Sequence, residues 1–514
     1  MRAAARRNPV RVATAGVLCI VAAGACSWPE GPIVETIGPP VVVGPLTLTP
    51  IRYAETEYWL IPTPRKLIPG PRTLEAEEGS LRVPTRHAGP SADSITIHFV
   101  RFKSTSEHPG PPIVYLAGGP GGSGTRSSAG DRFDVFQALR AVGDVIALDQ
   151  RGTHLTDPYL VCPDSWDYPL DQPTELAIMR DAIGPFLRAC YAHWSDSVDV
   201  QAFNTRESAA DLDDLRAALG ADRLVLWGIS YGTHLALAYI RQFPDRVAAA
   251  ILAGTEGPDH TYKLPANLDR ILVRVDSAMK ADPKLSAVLP DFLTDLRGLL
   301  ARLEERPERI AFVDPDTSDS VTVVIGADDL RRGVFLDLGE REDVVAFPRR
   351  IIPILRGDFS AIAPLVARGR RGMRELAMTV AMDCSSGASA ERLALIEQQA
   401  ATAILGDAGN IGLRAHCAHW PVDELGDEYR SPVTSAVPAL FISGTLDFRT
   451  PPSNAEEVRR GFPNSHHLVI DGGSHDDDLI LESPVILETM LAFLRGETTL
   501  QERVVLPPIR FKRP

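Results

Sequence analysis

Residues 223–239, RLVLWGISYGTHLALAY, join a strand-forming apolar run to a helix-forming one through a serine with glycine two positions away on either side. A run that is apolar from Leu224 to Trp227 suits a strand buried on both faces. The following THLALAYIRQF carries apolar residues at helical spacing. Gly228-Ile229-Ser230-Tyr231-Gly232 fits the pattern G-x-S-x-G, in which a sharp strand-to-helix turn strains the serine backbone and lifts its hydroxyl clear of the sheet. A side chain at either glycine would collide across so tight a turn. The helix aims unpaired N–H groups and the positive end of its dipole at the hydroxyl, where negative charge develops during acyl transfer. A glycine-flanked serine in an ordinary loop is the competing account, and the flanking strand and helix argue against it.

Outward from this stretch, short apolar runs alternate with helical patterns from about residue 80, which is the signature of a mostly parallel sheet flanked by helices. Candidate strands are SITIHFVRF (94–102), PIVYLAG (112–118), DVIALD (144–149), RLVLWG (223–228), AAAILAG (248–254), PALFISG (438–444) and HHLVID (466–471). In ESAADLDDLRAALG, Leu212, Leu215 and Leu219 share one helical face. The alternation breaks between about Pro258 and Pro432, where Phe292, Leu296, Leu299, Leu300 and Leu303 recur at helix spacing. The predicted architecture is an α/β fold with core segments 56–257 and 433–514 and an inserted, mainly helical cap over 258–432.

A nucleophilic serine needs a base, and the base needs an orienting acid. On an elbow of this kind the acid and then the histidine follow in loops after later strands. Asp447 stands three residues beyond the glycine that ends a strand in FISGTLDFRTP, and His475 four residues beyond the last strand in LVIDGGSHDDD. Ser230, Asp447 and His475 are therefore the expected catalytic set. Asp471 and residues Asp476, Asp477 and Asp478 compete for the acid's role, but a carboxylate so close in sequence reaches the far imidazole nitrogen poorly. His234, inside the helix after the serine, and His466 and His467, at the start of a strand, suit packing. The glycine-rich turn VYLAGGPGGSG (114–124) can present backbone N–H groups without side-chain obstruction, and the expected oxyanion donors are those of Gly119 and Tyr231. A phosphate-cradling loop is the other reading of such a turn, but no G-K-[ST] follows and Pro120 interrupts it.

Of the 514 residues 44% are apolar and 23% charged, ordinary for a globular protein. A formal net charge of −14 argues against nucleic acid as a partner, because phosphate contacts need clustered Lys and Arg. No cluster has metal-ligand spacing, so neither a metal nor a cofactor is expected. MRAAARRNPVR followed by VATAGVLCIVAAGA reads as a secretion signal over residues 1–25, too short to span a bilayer as a mature helix. Cleavage before Cys26 suits Ala23 and Ala25, and a lipoprotein signal is cut at the same bond to leave an acylated cysteine. Residues 26–55, rich in Pro and Gly, read as a tether. Once Cys19 leaves with the signal, Cys26, Cys162, Cys190, Cys384 and Cys417 remain, an odd number in an oxidising compartment. Lipidation of Cys26 removes the odd one. The other four allow three pairings, of which the sequence-local Cys162 with Cys190 and Cys384 with Cys417 are favoured over the alternatives and over free thiols. The protein is thus expected to be exported, and either secreted or held to the cell envelope through the lipid alone.

Taken together, GGPGGSG (118–124), DQRGT (149–153), GISYGT (228–233), CAHWP (417–421) and SGTLDFRTP (443–451) resemble the proline iminopeptidase and tripeptidyl aminopeptidase family of α/β-hydrolases, in the family's order across roughly residues 110–475. The resemblance implies Ser230, Asp447 and His475 as the triad, a helical cap over the site, and release of N-terminal residues or short peptides. It also implies that CAHWP opens the segment leading back into the core, with Cys417 bridged to a cap cysteine. Ala117 stands where short iminopeptidases carry histidine, as in the secreted tripeptidyl branch, which shifts the expectation away from strict proline specificity. AMDCSSG around Cys384 lacks the acidic residue that this branch leads one to expect shortly after the cysteine.

An aminopeptidase must recognise a free α-ammonium, most directly with a carboxylate left unpaired near the site. Glu256, just past a strand end at the cap junction, is the first candidate and Asp383 the second, with a salt bridge to a neighbouring arginine as the competing account of each. Arg151 of DQRGT suits a structural pin for the oxyanion loop better than a substrate ligand. The expected function is a serine exopeptidase acting on peptides. A carboxylesterase acting on small esters would use the same triad, and an inactive hydrolase fold serving as a surface binding protein is a third reading. Haloalkane and epoxide chemistry would need a carboxylate at position 230.

Overall fold

The computed structural model describes residues 34–55, 72–89, 93–315 and 317–512. The signal segment 1–25 and Cys26 lie outside the described residues. The strands are β1 (Val34–Thr36), β2 (Val41–Val43), β3 (Leu46–Ala54), β4 (Thr73–Pro84), β5 (Ser94–Phe102), β6 (Gly110–Leu116), β7 (Gly143–Asp149), β8 (Leu224–Ile229), β9 (Val247–Ala253), β10 (Glu308–Val313), β11 (Ser320–Ile325), β12 (Ala439–Gly444), β13 (Ser465–Asp471) and β14 (Arg503–Val505). Twelve of them form one sheet in the order β1-β3-β4-β5-β7-β6-β8-β9-β12-β13-β14, with β2 paired to β3. From β7 to β14 every neighbouring pair is parallel, which requires crossover connections long enough for helices. From β3 to β7 the ladders are antiparallel.

Alternate residues of the central strands enter opposite layers. Val114 and Leu116 of β6 join one hydrophobic cluster together with Leu212, Leu215 and Leu235. Ile113 and Tyr115 join the other, with Phe136 and Met490 from helices on the opposite face. Because both faces are covered, these strands read as continuous apolar runs. The seven strands anticipated from the sequence form within two residues of their expected ends.

One expectation is corrected, and the cap shows two features the sequence did not announce. Residues 34–54 are not a tether, because β1, β2 and β3 occupy most of them and Ile51 and Tyr53 are fully buried in the core. The cap carries the antiparallel hairpin β10–β11 among its helices. Its second half is also fused to the body: Met378, Val380, Ala381 and Met382 of the helix Ala377–Ser386 lie in the same cluster as the helix after β8, whereas the first half has a core of its own around Leu272, Phe292 and Phe347.

Candidate active site

The C-terminal ends of the parallel strands carry the site. Ser230 follows β8 directly at φ 53° and ψ −125° and precedes the helix Tyr231–Gln242. A non-glycine residue with positive φ stores roughly 1–3 kcal/mol that the surrounding packing must hold. The tightness of the turn explains its glycines. A Cβ on Gly232 would sit 1.9 Å from the Leu116 carbonyl oxygen of β6, and one on Gly228 2.6 Å from the carbonyl of Gly232.

Three side chains from separate loops meet at this point. The Ser230 hydroxyl lies 3.0 Å from Nε2 of His475, which follows β13, and the His475 Nδ1–H donates to Asp447 Oδ2 at 2.8 Å. Asp447, after β12, is buried. Its Oδ1 accepts the backbone N–H groups of Arg449 (2.8 Å) and Thr450 (2.9 Å), and Oδ2 also accepts the Thr450 hydroxyl at 2.5 Å. Burial alone would raise this carboxyl. The charge and hydrogen bond of His475, with the bonds from Thr450, outweigh burial and hold its pKa at about 2.

The glycine-rich turn after β6 faces the serine. A Cβ on Gly118 would lie 3.0 Å from Ser230 Cβ. The turn is held from beneath: Gln150 Nε2 donates to the Ala117 carbonyl at 3.0 Å, and the Asp149 carboxylate accepts the Ser123 hydroxyl at 2.7 Å and the Thr125 hydroxyl at 2.8 Å. Thr379 of the cap donates its hydroxyl to the Pro120 carbonyl at 2.7 Å. Among the described residues neither the Gly119 nor the Tyr231 backbone N–H meets a backbone acceptor outside the regular elements. The arrangement can remove the serine proton, fix the imidazole tautomer and receive negative charge at one point.

Residues 111–311 match the family described as the α/β hydrolase fold, and residues 404–502 match the family of TAP-like proteins. The chain has the α/β-hydrolase fold. Among curated relatives it is 32% identical over 192 residues to serine protease Hip1 of Mycobacterium tuberculosis, covering 35% of this chain and 36% of the relative. It is 29% identical over 206 residues to the tripeptidyl aminopeptidase of Streptomyces lividans, covering 37% and 38%. The proline iminopeptidase of Neisseria gonorrhoeae is 24% identical over 159 residues, covering 31% and 37%. The chain thus spans a little over a third of the length of the curated relatives it matches.

In this fold the competing carboxylates near His475 are engaged elsewhere. Asp476 and Asp477 pair with Arg132, Asp471 with Arg503, and Asp478 accepts the Ser474 hydroxyl. His234 joins the Gly257 carbonyl and the Tyr429 hydroxyl, and His467 joins Ser443 and Glu456. The Arg151 expectation is half corrected. Arg151 is a buried structural pin, but it holds Asp211 and the carbonyls of Thr85 and Ala202, and it is the preceding Asp149 and Gln150 that hold the oxyanion loop. Bridges join Cys162 to Cys190 and Cys384 to Cys417.

Both candidate acids lie beside the catalytic helix. The Glu256 backbone N–H donates to the Thr233 hydroxyl at 2.7 Å. Its carboxylate is paired, with Lys263 rather than an arginine, at 2.5 Å. Asp383 carries neither ion pair nor hydrogen bond to its carboxyl among the described residues; burial and the nearby Glu256 charge push it up to about 8, against the opposing pull of Lys263. Sequence reasoning missed Lys263, Thr450, Gln150 and Thr379. The only signal for Thr450 was its place three residues after Asp447, a spacing that lets a hydroxyl and a carboxylate share a tight turn.

Proposed function

We propose that this hydrolase is an exported serine exopeptidase that releases N-terminal residues or short peptides through an acyl-enzyme on Ser230. The observation that carries the reading is the Asp447–His475–Ser230 chain, at 2.8 and 3.0 Å, on a strained elbow beside two backbone N–H groups. Ser230 Oγ bonds the scissile carbonyl carbon while its proton passes to His475 Nε2. The N–H groups of Gly119 and Tyr231 take up the oxyanion charge, and the imidazolium then protonates the leaving amine. Water repeats the sequence to release the acyl group. Asp447 stays ionised throughout and keeps the Nδ1–H tautomer.

The exopeptidase reading, in preference to a carboxylesterase with the same triad, rests on Asp383, whose carboxyl meets no ion-pair partner among the described residues and suits a substrate α-ammonium, whereas Glu256 is already paired with Lys263. The named activities of the relatives and the two disulfides, which suit an oxidising compartment, support peptidase action outside the cytoplasm. Residues 1–25 serve as the signal and Cys26 as the lipidated N-terminus, which the mass of the mature N-terminal peptide tests. The function is tested by hydrolysis of tripeptidyl and aminoacyl anilides, free and N-acetylated, against simple acyl esters. The expected result is strong preference for the free amine. Indifference to acetylation, or action confined to esters, overturns it.

A further inference from the structure

A buried cation holds the loop that carries His475. Arg132, just before the helix Phe133–Leu139, is 7% exposed. Its guanidinium donates from every nitrogen: Nε to Asp477 Oδ1 at 2.9 Å, Nη2 to Asp476, and Nη1 to the Tyr115 hydroxyl. Tyr115 belongs to β6, whose chain runs on into the oxyanion turn, and its ring packs edge-on against Phe136 and Trp227, with centroids 5.1 and 4.6 Å away. One side chain therefore joins the strand that leads into the oxyanion turn to the loop that presents the base.

What Arg132 grips is strained. Asp476, next to His475 in sequence, sits in the left-handed region at φ 57°, a conformation that costs a residue with a Cβ and is kept only where the surroundings hold it. On the other side of His475, Ser474 is tied by its own loop and by the cap. Its N–H and hydroxyl donate to Asp478 at 2.9 and 2.6 Å, and its hydroxyl oxygen accepts the Arg341 N–H at 2.7 Å. His475 thus lies between two fastened neighbours, and Arg132 supplies the fastening on the Asp476 side. The charges facing Asp476 come from several elements: Arg132 and His475, Asp477 on the same turn, Arg449 beside Asp447, and Glu340 of the cap, which pairs with Arg449 at 3.1 Å. Burial alone would raise the Asp476 carboxyl; Arg132 and then His475 outweigh it and hold the group ionised.

We propose that Arg132 is a positioning residue of the triad: by gripping Asp476 and Asp477 it keeps the His475 imidazole in line with Ser230, and by neutralising them it keeps two carboxylates from favouring the protonated, inactive imidazolium. The inference rests on the Ser230–His475–Asp447 reading and holds for peptide and ester substrates alike. Grip and charge have separable effects. Without the grip the ring can leave its 3.0 Å contact with the serine hydroxyl, and a misplacement of about 1 Å can cost on the order of a hundredfold in rate. Without the charge, unpaired carboxylates beside the imidazole stabilise its cationic form.

The test follows the rate of fluorophosphonate labelling of Ser230 against pH in the full mature chain, a readout of the base that does not depend on substrate class. Arg132→Met should lower the plateau rate about tenfold or more and move its acid limb up by about half a pH unit. Arg132→Lys keeps the charge but not the planar fork, so the plateau should fall about threefold or more with the limb in place. Asp476→Asn removes a negative charge beside the imidazole and should move the limb down. Combining Arg132→Met with Asp476→Asn and Asp477→Asn should return the limb to its wild-type position and leave the plateau low. A folded Arg132→Met protein with wild-type plateau and limb, or limbs that move the same way in Arg132→Met and Asp476→Asn, overturns the proposal. Where Arg132→Met fails to fold, an unchanged plateau in Arg132→Lys together with an unmoved limb in Asp476→Asn overturns it. Wild-type protein that stays unlabelled at every pH overturns the triad reading itself.

Discussion

Replacing Asp447 with Asn changes one atom and tests how the imidazole is held. Oδ1 accepts two backbone N–H groups, at 2.8 and 2.9 Å, which fix the side chain's orientation. The new amide nitrogen must therefore take the Oδ2 position, 2.8 Å from His475 Nδ1. It donates there, so His475 presents Nδ1 as acceptor and carries its proton on Nε2, 3.0 Å from the Ser230 hydroxyl that needs an acceptor. The base is then in the wrong tautomer, a change that costs about 10⁴ in kcat in a comparable triad, or about 5.4 kcal/mol of transition-state stabilisation. Size and packing are preserved, so the thermal midpoint should move little. Steady-state hydrolysis of a tripeptidyl anilide, with the fluorophosphonate reaction rate and a melting curve on the same samples, measures both. A variant that keeps more than about a tenth of wild-type kcat, with its fold intact, would refute the assignment of Asp447 as the orienting acid.

Other substitutions probe separate links. Gly118→Ala places a methyl 3.0 Å from both Ser230 Cβ and the Ile229 carbonyl, and steady-state assays should show kcat falling at least tenfold while circular dichroism stays native. Arg151→Met leaves buried Asp211 with only His87, 3.8 Å away, in place of its bidentate partner, and urea unfolding should register a loss of about 3 kcal/mol. Removing the Cys384–Cys417 bridge, which closes 33 residues of chain, should cost about 3–4 kcal/mol and weaken selection of free amines, because Asp383 adjoins Cys384. Asp383 has a folded pKa raised to about 8 from an ordinary 3.8, so the folded state binds a proton that the unfolded state releases. Its contribution to stability is therefore lost progressively as pH rises from about 4 to 8. Asp383→Asn should melt higher than wild type at pH 8, and the gap should close toward pH 4.

What the sequence disclosed depended on how locally each feature was encoded. The elbow was legible because strand, serine and helix lie within one run, and Asp447 and His475 because each closely follows a strand built on a short apolar run, LFI in β12 and LVI in β13. β3 and β4 were opaque: LTLTPIRYA and TLEAEEGSLRVP are half-exposed antiparallel strands in which polar residues alternate with few large apolar ones, so they resemble a tether or a loop. The hairpin β10–β11 sits on the cap surface, with Val313 exposed, and its weak alternation is masked by the helices around it. Lys263 could not be paired with Glu256 from sequence, because its position depends on Asn410, 147 residues away. Arg151 was recognised as structural, yet its partners Thr85, Ala202 and Asp211 lie on three separate segments, and only the folded chain shows that it points away from the oxyanion turn.

The central claim is that Ser230 becomes a nucleophile because His475 and Asp447 are aligned behind it. Peptide mapping by mass spectrometry after exposure of the folded mature chain to a fluorophosphonate probe tests it directly. The account predicts a single adduct on Ser230, absent in Ser230→Ala and slowed at least a thousandfold in His475→Ala. Folded wild-type protein that remains unlabelled, or an adduct that persists when residue 230 is alanine, would contradict it.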